Sequence, residues 1–157
     1  MSQRVFLQTR NCGESMLERS RFTPEYFNNR TPGSLPDYLG MVVTEIGAGE
    51  VEAEIVITGH HLAPNGFLHA GTIVTLADTA CAIGCYAHLP EGAGGFTTAE
   101  LKSNFLASVR EGTLECSAHV THRGKSTQVW DATVVHKESG RTIALFRCTQ
   151  LIMYPKS

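Results

Sequence analysis

The stretch from Asn65 to Leu89 sets the terms for the rest of the chain. From Ala70 to about His88 it holds no proline and is rich in Ala, Leu and Ile, which reads as one helix of roughly five turns. Ile73, Val74, Leu76, Ala77, Ala80, Cys81, Ile83 and Ala87 fall on nearly every side of it. That is the pattern of a helix enclosed by other elements, not of one lying on a surface. Asp78 is its only Asp or Glu, and with Thr72, Thr75 and Thr79 it breaks the run before the roughly 18 unbroken apolar residues of a membrane span are reached. Pro90 and Glu91 end it abruptly. The expectation is a core helix of a soluble domain.

A carboxylate in such a helix must be solvated by a cleft, hydrogen-bonded or held neutral, because burying a bare charge is costly. Positions 71, 75, 78 and 82 share one helix face, so Asp78 lies in line with Gly71, Thr75 and Ala82, all small. That face has room for something else. At the helix start, directly after Gly66-Phe67-Leu68-His69, free backbone N–H groups near Ala70 and Gly71 and the positive end of the helix dipole are expected to point into the loop. Such an end binds an anion or a developing oxyanion. With Asp78 about two turns along, one pocket offers oxyanion donors and a general base or nucleophile, a pair suited to acyl transfer or hydrolysis.

Each residue alone has a duller reading. Asn65-Gly66 is a common turn dipeptide. A histidine at position 69 is better neutral and hydrogen-bonded than charged, because the helix dipole disfavours a cation there. Asp78 can be a structural carboxylate held by a strand's backbone. The combination is what points to chemistry.

At 157 residues, 42% hydrophobic and 18% charged, the chain suits one well-buried domain. A formal charge of -2 gives no electrostatic reason to expect nucleic acid or an anionic membrane as partner. The five cysteines, Cys12, Cys81, Cys85, Cys116 and Cys148, are odd in number and lack paired metal spacing, which favours small core residues in a reducing cytoplasm. The adjacent His60 and His61 read as solvent-facing loop residues, and no metal site is expected from them.

Residues 1–22 lack the apolar core of a signal peptide and read as a loose arm or short helix. Thr23-Pro24-Glu25 starts a helix, and a second short one over Ser34 to Leu39 stops at Gly40. Met41 to Ile46 and Val51 to Ile57 form a hairpin across Gly47-Ala48-Gly49. Four strands follow the helix, Phe96 to Leu106, Gly112 to His122, Ser126 to His136 and Arg141 to Tyr154, the last three as a meander. Two strands, a long buried helix and four strands make an α+β layout, a curved antiparallel sheet wrapped around the helix. Trp130, the only tryptophan, reads as a packing residue.

Leu39-Gly40-Met41-Val42, then Asn65, Gly66, His69, Gly71, Leu76, Ala77 and Asp78, resemble the hotdog-fold acyl-CoA thioesterases of the phenylacetate-degradation (PaaI-like) type. That family's usual His-Gly-Gly helix start, followed by an Asp nine residues after the His, is here His69-Ala70-Gly71 and Asp78. The resemblance continues through Glu100 to Leu106, His122-Arg123-Gly124-Lys125 and Gly140-Arg141-Thr142-Ile143-Ala144, leaving only the first forty or so residues outside. It implies an arm with short helices over residues 1–40, the helices packing beside an acyl pocket, and one hotdog domain over 41–157.

It also implies hydrolysis of an aromatic or medium-chain acyl-CoA with no metal or redox cofactor. Asp78 would act as base or nucleophile, Ala70 and Gly71 N–H groups as the oxyanion site, Asn65 or His69 as the group that polarises the carbonyl, and Thr98 as the residue that positions water. Arg123, Gly124 and Lys125 would contact coenzyme A phosphates, although without the resemblance a basic hairpin turn is the simpler reading. A homodimer or homotetramer with active sites between subunits follows from the same resemblance. The competing readings are a hotdog hydratase or dehydratase and a non-catalytic acyl-CoA-binding module.

Overall fold

The computed structural model describes residues 22–155. The expectations for residues 1–21, Cys12 included, lie outside them, and Phe22, expected at the end of a loose arm, is buried. Two short helices come first, α1 (Pro24–Asn28) and α2 (Leu35–Tyr38). Thr23 caps α1 by accepting the Tyr26 N–H at 3.2 Å, with Pro24 in the first turn as its fixed φ favours, and Gly40 closes α2 at φ +64°. Strands β1 (Val42–Ile46) and β2 (Glu50–Val56) form the expected hairpin. The long helix α3 (Ala70–Ala87) follows, then β3 (Gly95–Phe105), β4 (Thr113–Arg123), β5 (Thr127–His136) and β6 (Arg141–Met153).

All six strands join one antiparallel sheet in the order β1-β2-β4-β5-β6-β3. The chain therefore crosses from β2 through α3 to the far edge, lays down β3 there, and returns to place β4 beside β2. Alternation decides which face is inward. Val51, Ala53 and Ile55 of β2 are buried while Glu52 and Glu54 are not, and Trp130, Ala132 and Val134 of β5 and Phe146, Cys148 and Ile152 of β6 keep the same phase. Ala53, Cys116, Ala118, Ala132, Ala144 and Cys148 are small and fully or almost fully buried, which lets α3 lie close in the concave face. By length and composition α3 could cross a membrane, yet most of it is packed inside this fold.

Gly84 shows how close the approach is. A Cβ added there would stand 2.4 Å from two ring carbons of Trp130, which is fully buried as a packing residue should be. Gly84→Ala gains about 1 kcal/mol of helix propensity and forces apart a close-packed ring contact that costs about 1–3 kcal/mol, and often more when neither side can move. The variant is expected to melt several degrees below the parent protein in a thermal scan; an unchanged or raised melting temperature refutes the contact's importance.

The N-terminal segment is tied to the sheet edge by Asn28, whose Nδ2 donates to Val43 O and whose Oδ1 accepts from Val43 N, both at 2.9 Å. It thus continues the ladder beyond β1 with a side chain. Phe22 and Phe27 both pack edge-on against Tyr86 of α3 with centroids 5.7 and 6.1 Å apart.

His61 overturns the expectation of two solvent-facing histidines. The segment Gly59–His61 is a 3-10 turn that leaves His60 exposed and turns His61 inward to 2% exposure. Its Nδ1 accepts the Thr58 N–H at 2.8 Å and its Nε2 donates to Leu39 O at 3.0 Å. Burial holds its pKa below the ordinary value, and both ring nitrogens are used by a neutral ring. The His61 carbonyl in turn accepts from His69 N at 2.9 Å and Thr72 Oγ1 at 3.1 Å. One buried imidazole therefore joins the end of α2, the end of β2 and the start of α3.

Candidate active site

Eleven of the 18 residues of α3 are buried. The half-exposed ones, Gly71, Val74, Thr75, Asp78, Thr79 and Ala82, fall at helical spacing into a single stripe. The face expected to be small is therefore the one the sheet leaves open. Asp78 sits in its middle. Burial pushes the Asp78 carboxyl above its ordinary pKa, and the Thr98 hydroxyl, 3.4 Å from Oδ1, offsets this only in part.

Thr98 reaches Asp78 because of a bulge in β3. Thr98 pairs with Gln150 of β6, Glu100 pairs with Thr149, and the extra residue Ala99 lies between. Such a bulge re-aims side chains locally. Thr98 faces inward and Thr97, its neighbour, is exposed. Behind Thr98 stands Gln150, fully buried, whose Oε1 accepts from the Thr98 hydroxyl at 3.0 Å. Sequence reasoning missed Gln150. The available signal was its phase, two residues from Cys148 and two from Ile152 on the inward side of the strand.

The start of α3 is built from a turn and a cap. Asn65-Gly66 does make a turn, with Gly66 at φ +79° and Asn65 Oδ1 accepting the Phe67 N–H at 3.1 Å. His69 is the N-cap. Its Nδ1 accepts the Gly71 N–H at 2.8 Å, which leaves the ring proton on Nε2 and the ring neutral, as expected. This corrects the expectation that the Gly71 N–H is free. Gly71 is required by that cap, since a Cβ there would lie 2.9 Å from His69 Nδ1. The Ala70 N–H, first in the helix, has no intrahelical acceptor by construction.

Arg123, Gly124 and Lys125 lie at the β4–β5 turn, the two cations exposed. The Gly124 N–H is not available to a phosphate as expected, because it donates to Thr127 O at 2.9 Å. The turn is anchored toward the C-terminal end of α3: Gln128 Nε2 donates to His88 O at 2.9 Å, and Tyr154 donates to Lys125 O at 2.7 Å. Within one chain these cations and the start of α3 thus belong to opposite ends of a helix about 27 Å long.

Beside Asp78 lies an apolar cavity of about 180 Å³. Thr79, Ala82 and Ile83 of α3 form one side of it, Tyr86 and Phe96 another, and Tyr26 and Phe27 of α1 with Arg30 and Thr31 flank its opening. The four described cysteines, Cys81, Cys85, Cys116 and Cys148, are buried free thiols, and burial pushes the Cys85 and Cys116 thiols up, Cys85 to about 12, which makes these two inert packing groups. Among the described residues no three His, Cys, Asp or Glu side chains group closely enough to share a metal ion.

Known proteins resemble this chain in sequence and in fold. A family model described as the thioesterase superfamily matches residues 65–143, half of the chain. The 1,4-dihydroxy-2-naphthoyl-CoA hydrolase of Listeria monocytogenes is 30% identical over 73% of this chain and 92% of its own length. The proofreading thioesterase EntH of Cronobacter sakazakii is 26% identical over 88% of this chain and 99% of its own. Among solved structures, a thioesterase from Haemophilus influenzae superposes with a TM-score of 0.78 at 26% identity, covering 84% of this chain and 91% of that one. The Escherichia coli PaaI protein matches in fold with a TM-score of 0.75 at 24% identity, over 88% and 96% of the two chains. This chain belongs to the thioesterase superfamily, has the hotdog fold, and is a thiolester hydrolase.

Proposed function

We propose that the protein hydrolyses acyl-CoA thioesters carrying an aromatic or medium-chain acyl group, with Asp78 as its general base or nucleophile. The observation that carries this reading is the cavity of about 180 Å³ whose wall, Thr79 and Ala82, continues the stripe holding Asp78. That is about six waters' worth of space, enough for one aromatic ring with a short linker or a medium chain. The aromatic lining of Tyr26, Phe27, Tyr86 and Phe96 suits a ring.

In this reading water held near Thr98 gives its proton to Asp78 as its oxygen adds to the thioester carbonyl. The tetrahedral oxyanion then collapses, the C–S bond breaks, and coenzyme A leaves as the thiolate. Donors for the oxyanion are the Ala70 N–H and His69 Nε2, with the Gly71 N–H joining them if the His69 ring turns away. Asn65 Nδ2 is a further donor at the same end of the helix. Arg123 and Lys125 hold the coenzyme A phosphates through side chains alone. No metal or redox cofactor takes part.

Such a site needs two copies of the chain. Gly71 and Asp78 are seven residues apart, about 10 Å along the helix, whereas a reacting carbonyl must sit within about 3–3.5 Å of its attacker. A twofold that lays two open stripes side by side and antiparallel brings Asp78 of one copy toward the helix start of the other. It also carries the partner's basic turn to the same end. A homodimer is therefore the minimum unit, a tetramer of two dimers is compatible with it, and the reading places the enzyme in the cytoplasm with its hotdog unit over 41–157 behind the arm of 1–40.

The test is thiol release from a panel of phenylacetyl-, benzoyl- and straight-chain acyl-CoA esters. Turnover is expected for ring-bearing and medium-chain esters and to fall off once the acyl chain outgrows the cavity. Equal turnover of long-chain esters, or none on any ester, contradicts the proposal.

A further inference from the structure

Two glutamine amides, Gln128 and Gln150, are fully buried beneath α3 and lie opposite each other on β5 and β6. Gln128 is fixed. Its Oε1 accepts from Trp130 Nε1 and its Nε2 donates to His88 O, both at 2.9 Å, and an indole N–H only donates while a carbonyl only accepts. Gln150 instead meets groups that can do either. Its Oε1 lies 3.0 Å from the Thr98 hydroxyl and its Nε2 3.3 Å from the Cys148 thiol.

The Thr98 hydroxyl has one hydrogen and faces two acceptors, Gln150 Oε1 and Asp78 Oδ1. With Asp78 protonated the chain closes: Asp78 donates to Thr98, Thr98 to Gln150, and Gln150 to Cys148. With Asp78 ionised it does not. A hydroxyl turned to the carboxylate leaves Gln150 Oε1 without a donor in a fully buried place, a costly state. The shorter of the two distances, 3.0 against 3.4 Å, is the one to Gln150.

We propose that Gln150 is a positioning residue that competes with Asp78 for the Thr98 hydroxyl and so raises the pH at which Asp78 becomes a base. It acts through Thr98 and touches no reacting atom. The titratable neighbours of this row are the Cys81 thiol on α3 and the Cys148 thiol on β6, and no charged side chain among the described residues contributes to the proton affinity of Asp78. Burial and the Gln150–Thr98 pair thus act in the same direction. The inference rests on the proposed role of Asp78 only for its consequence in catalysis, since the hydrogen-bond competition exists whether or not Asp78 reacts.

The test reads Asp78 directly. With carbon-13-labelled aspartate, the Asp78 carboxyl resonance is assigned by its absence from Asp78→Asn and followed against pH. Gln150→Met, which removes the competing acceptor, is expected to lower the Asp78 midpoint by about one pH unit. Gln150→Asn, which draws the amide back while staying polar, moves it the same way and serves if the first variant does not fold. Thr98→Val removes the hydroxyl that donates to Asp78 and moves the midpoint upward. A midpoint unchanged or raised in both Gln150 variants, or lowered in Thr98→Val, overturns the proposal, because a merely structural glutamine has no reason to give opposite signs. The acid limb of kcat/KM is recorded alongside. If it follows the resonance, both the positioning role and the basic role of Asp78 stand; if the resonance moves and the limb does not, Gln150 keeps its role and the catalytic reading of Asp78 is what fails.

Discussion

Asp78→Asn lowers kcat for thioester hydrolysis by about a thousandfold, within the range that a positioned general base supplies, and leaves KM nearly unchanged. The substitution keeps the size of a side chain already seated in the open stripe and removes only its capacity to take a proton or attack. A loss confined to kcat is the signature of an interaction made in the transition state, and a loss confined to KM would mean that Asp78 binds substrate instead. The wild-type profile should rise with pH through a midpoint above the ordinary carboxylate value, since burial raises the Asp78 pKa and the reactive form is the ionised one.

The same shift makes a stability prediction of opposite sense. A carboxyl whose folded pKa is raised binds its proton more tightly in the folded state than in the unfolded one. Its ionisation therefore costs stability, an effect absent below the unfolded pKa, growing as pH rises toward the folded pKa, and constant above it. Asp78→Asn should thus melt higher than the parent at neutral pH, with the two melting temperatures converging in acid. An inactive variant that is more stable separates a functional carboxylate from a structural one, because loss of a structural carboxylate would lower both.

Much of this site was legible because it lies along one helix. All-round apolarity identified α3 as enclosed, and the spacing of Gly71, Thr75, Asp78 and Ala82 located the side the sheet leaves open. Helical periodicity is local, so no tertiary information was needed. The hairpin of β1 and β2 and the cap at Thr23 were likewise set by neighbours in sequence. What stayed hidden depends on contacts distant in sequence. Gln150 meets Thr98 across 52 positions, and only the placement of β3 beside β6 brings them together. His61 was read as exposed because it falls with His60 in a polar loop; the 3-10 turn that turns it inward depends on Leu39, 22 positions away. The Gly71 N–H looked free because a capping histidine reads the same in sequence whether its ring folds back or swings out.

Thr75→Arg should break the enzyme into inactive monomers. Thr75 is half-buried in the stripe, its hydroxyl turned back onto Gly71 O at 2.8 Å, and it offers a neighbouring copy little more than a methyl group. In the proposed dimer an arginine there would face another arginine across the twofold, adding bulk and like charge where the two helices approach. Light scattering should report the monomer, and activity should fall by at least about a hundredfold, since far smaller misplacements of catalytic groups already cost that much. Dissociation alone does not prove that each site spans two chains, so the sharper form mixes two inactive variants. Asp78→Asn and His69→Ala, unfolded together and refolded as a mixture, give mixed dimers in which one site has both defects and the other has neither. With equal mixing about a quarter of wild-type activity returns, half of the dimers being mixed and each holding one intact site. If Asp78 and His69 of the same chain serve the same thioester, every site keeps one defect and no activity returns. Recovery therefore requires that the roughly 10 Å between the two ends of the stripe be closed by a second copy and not by movement within one.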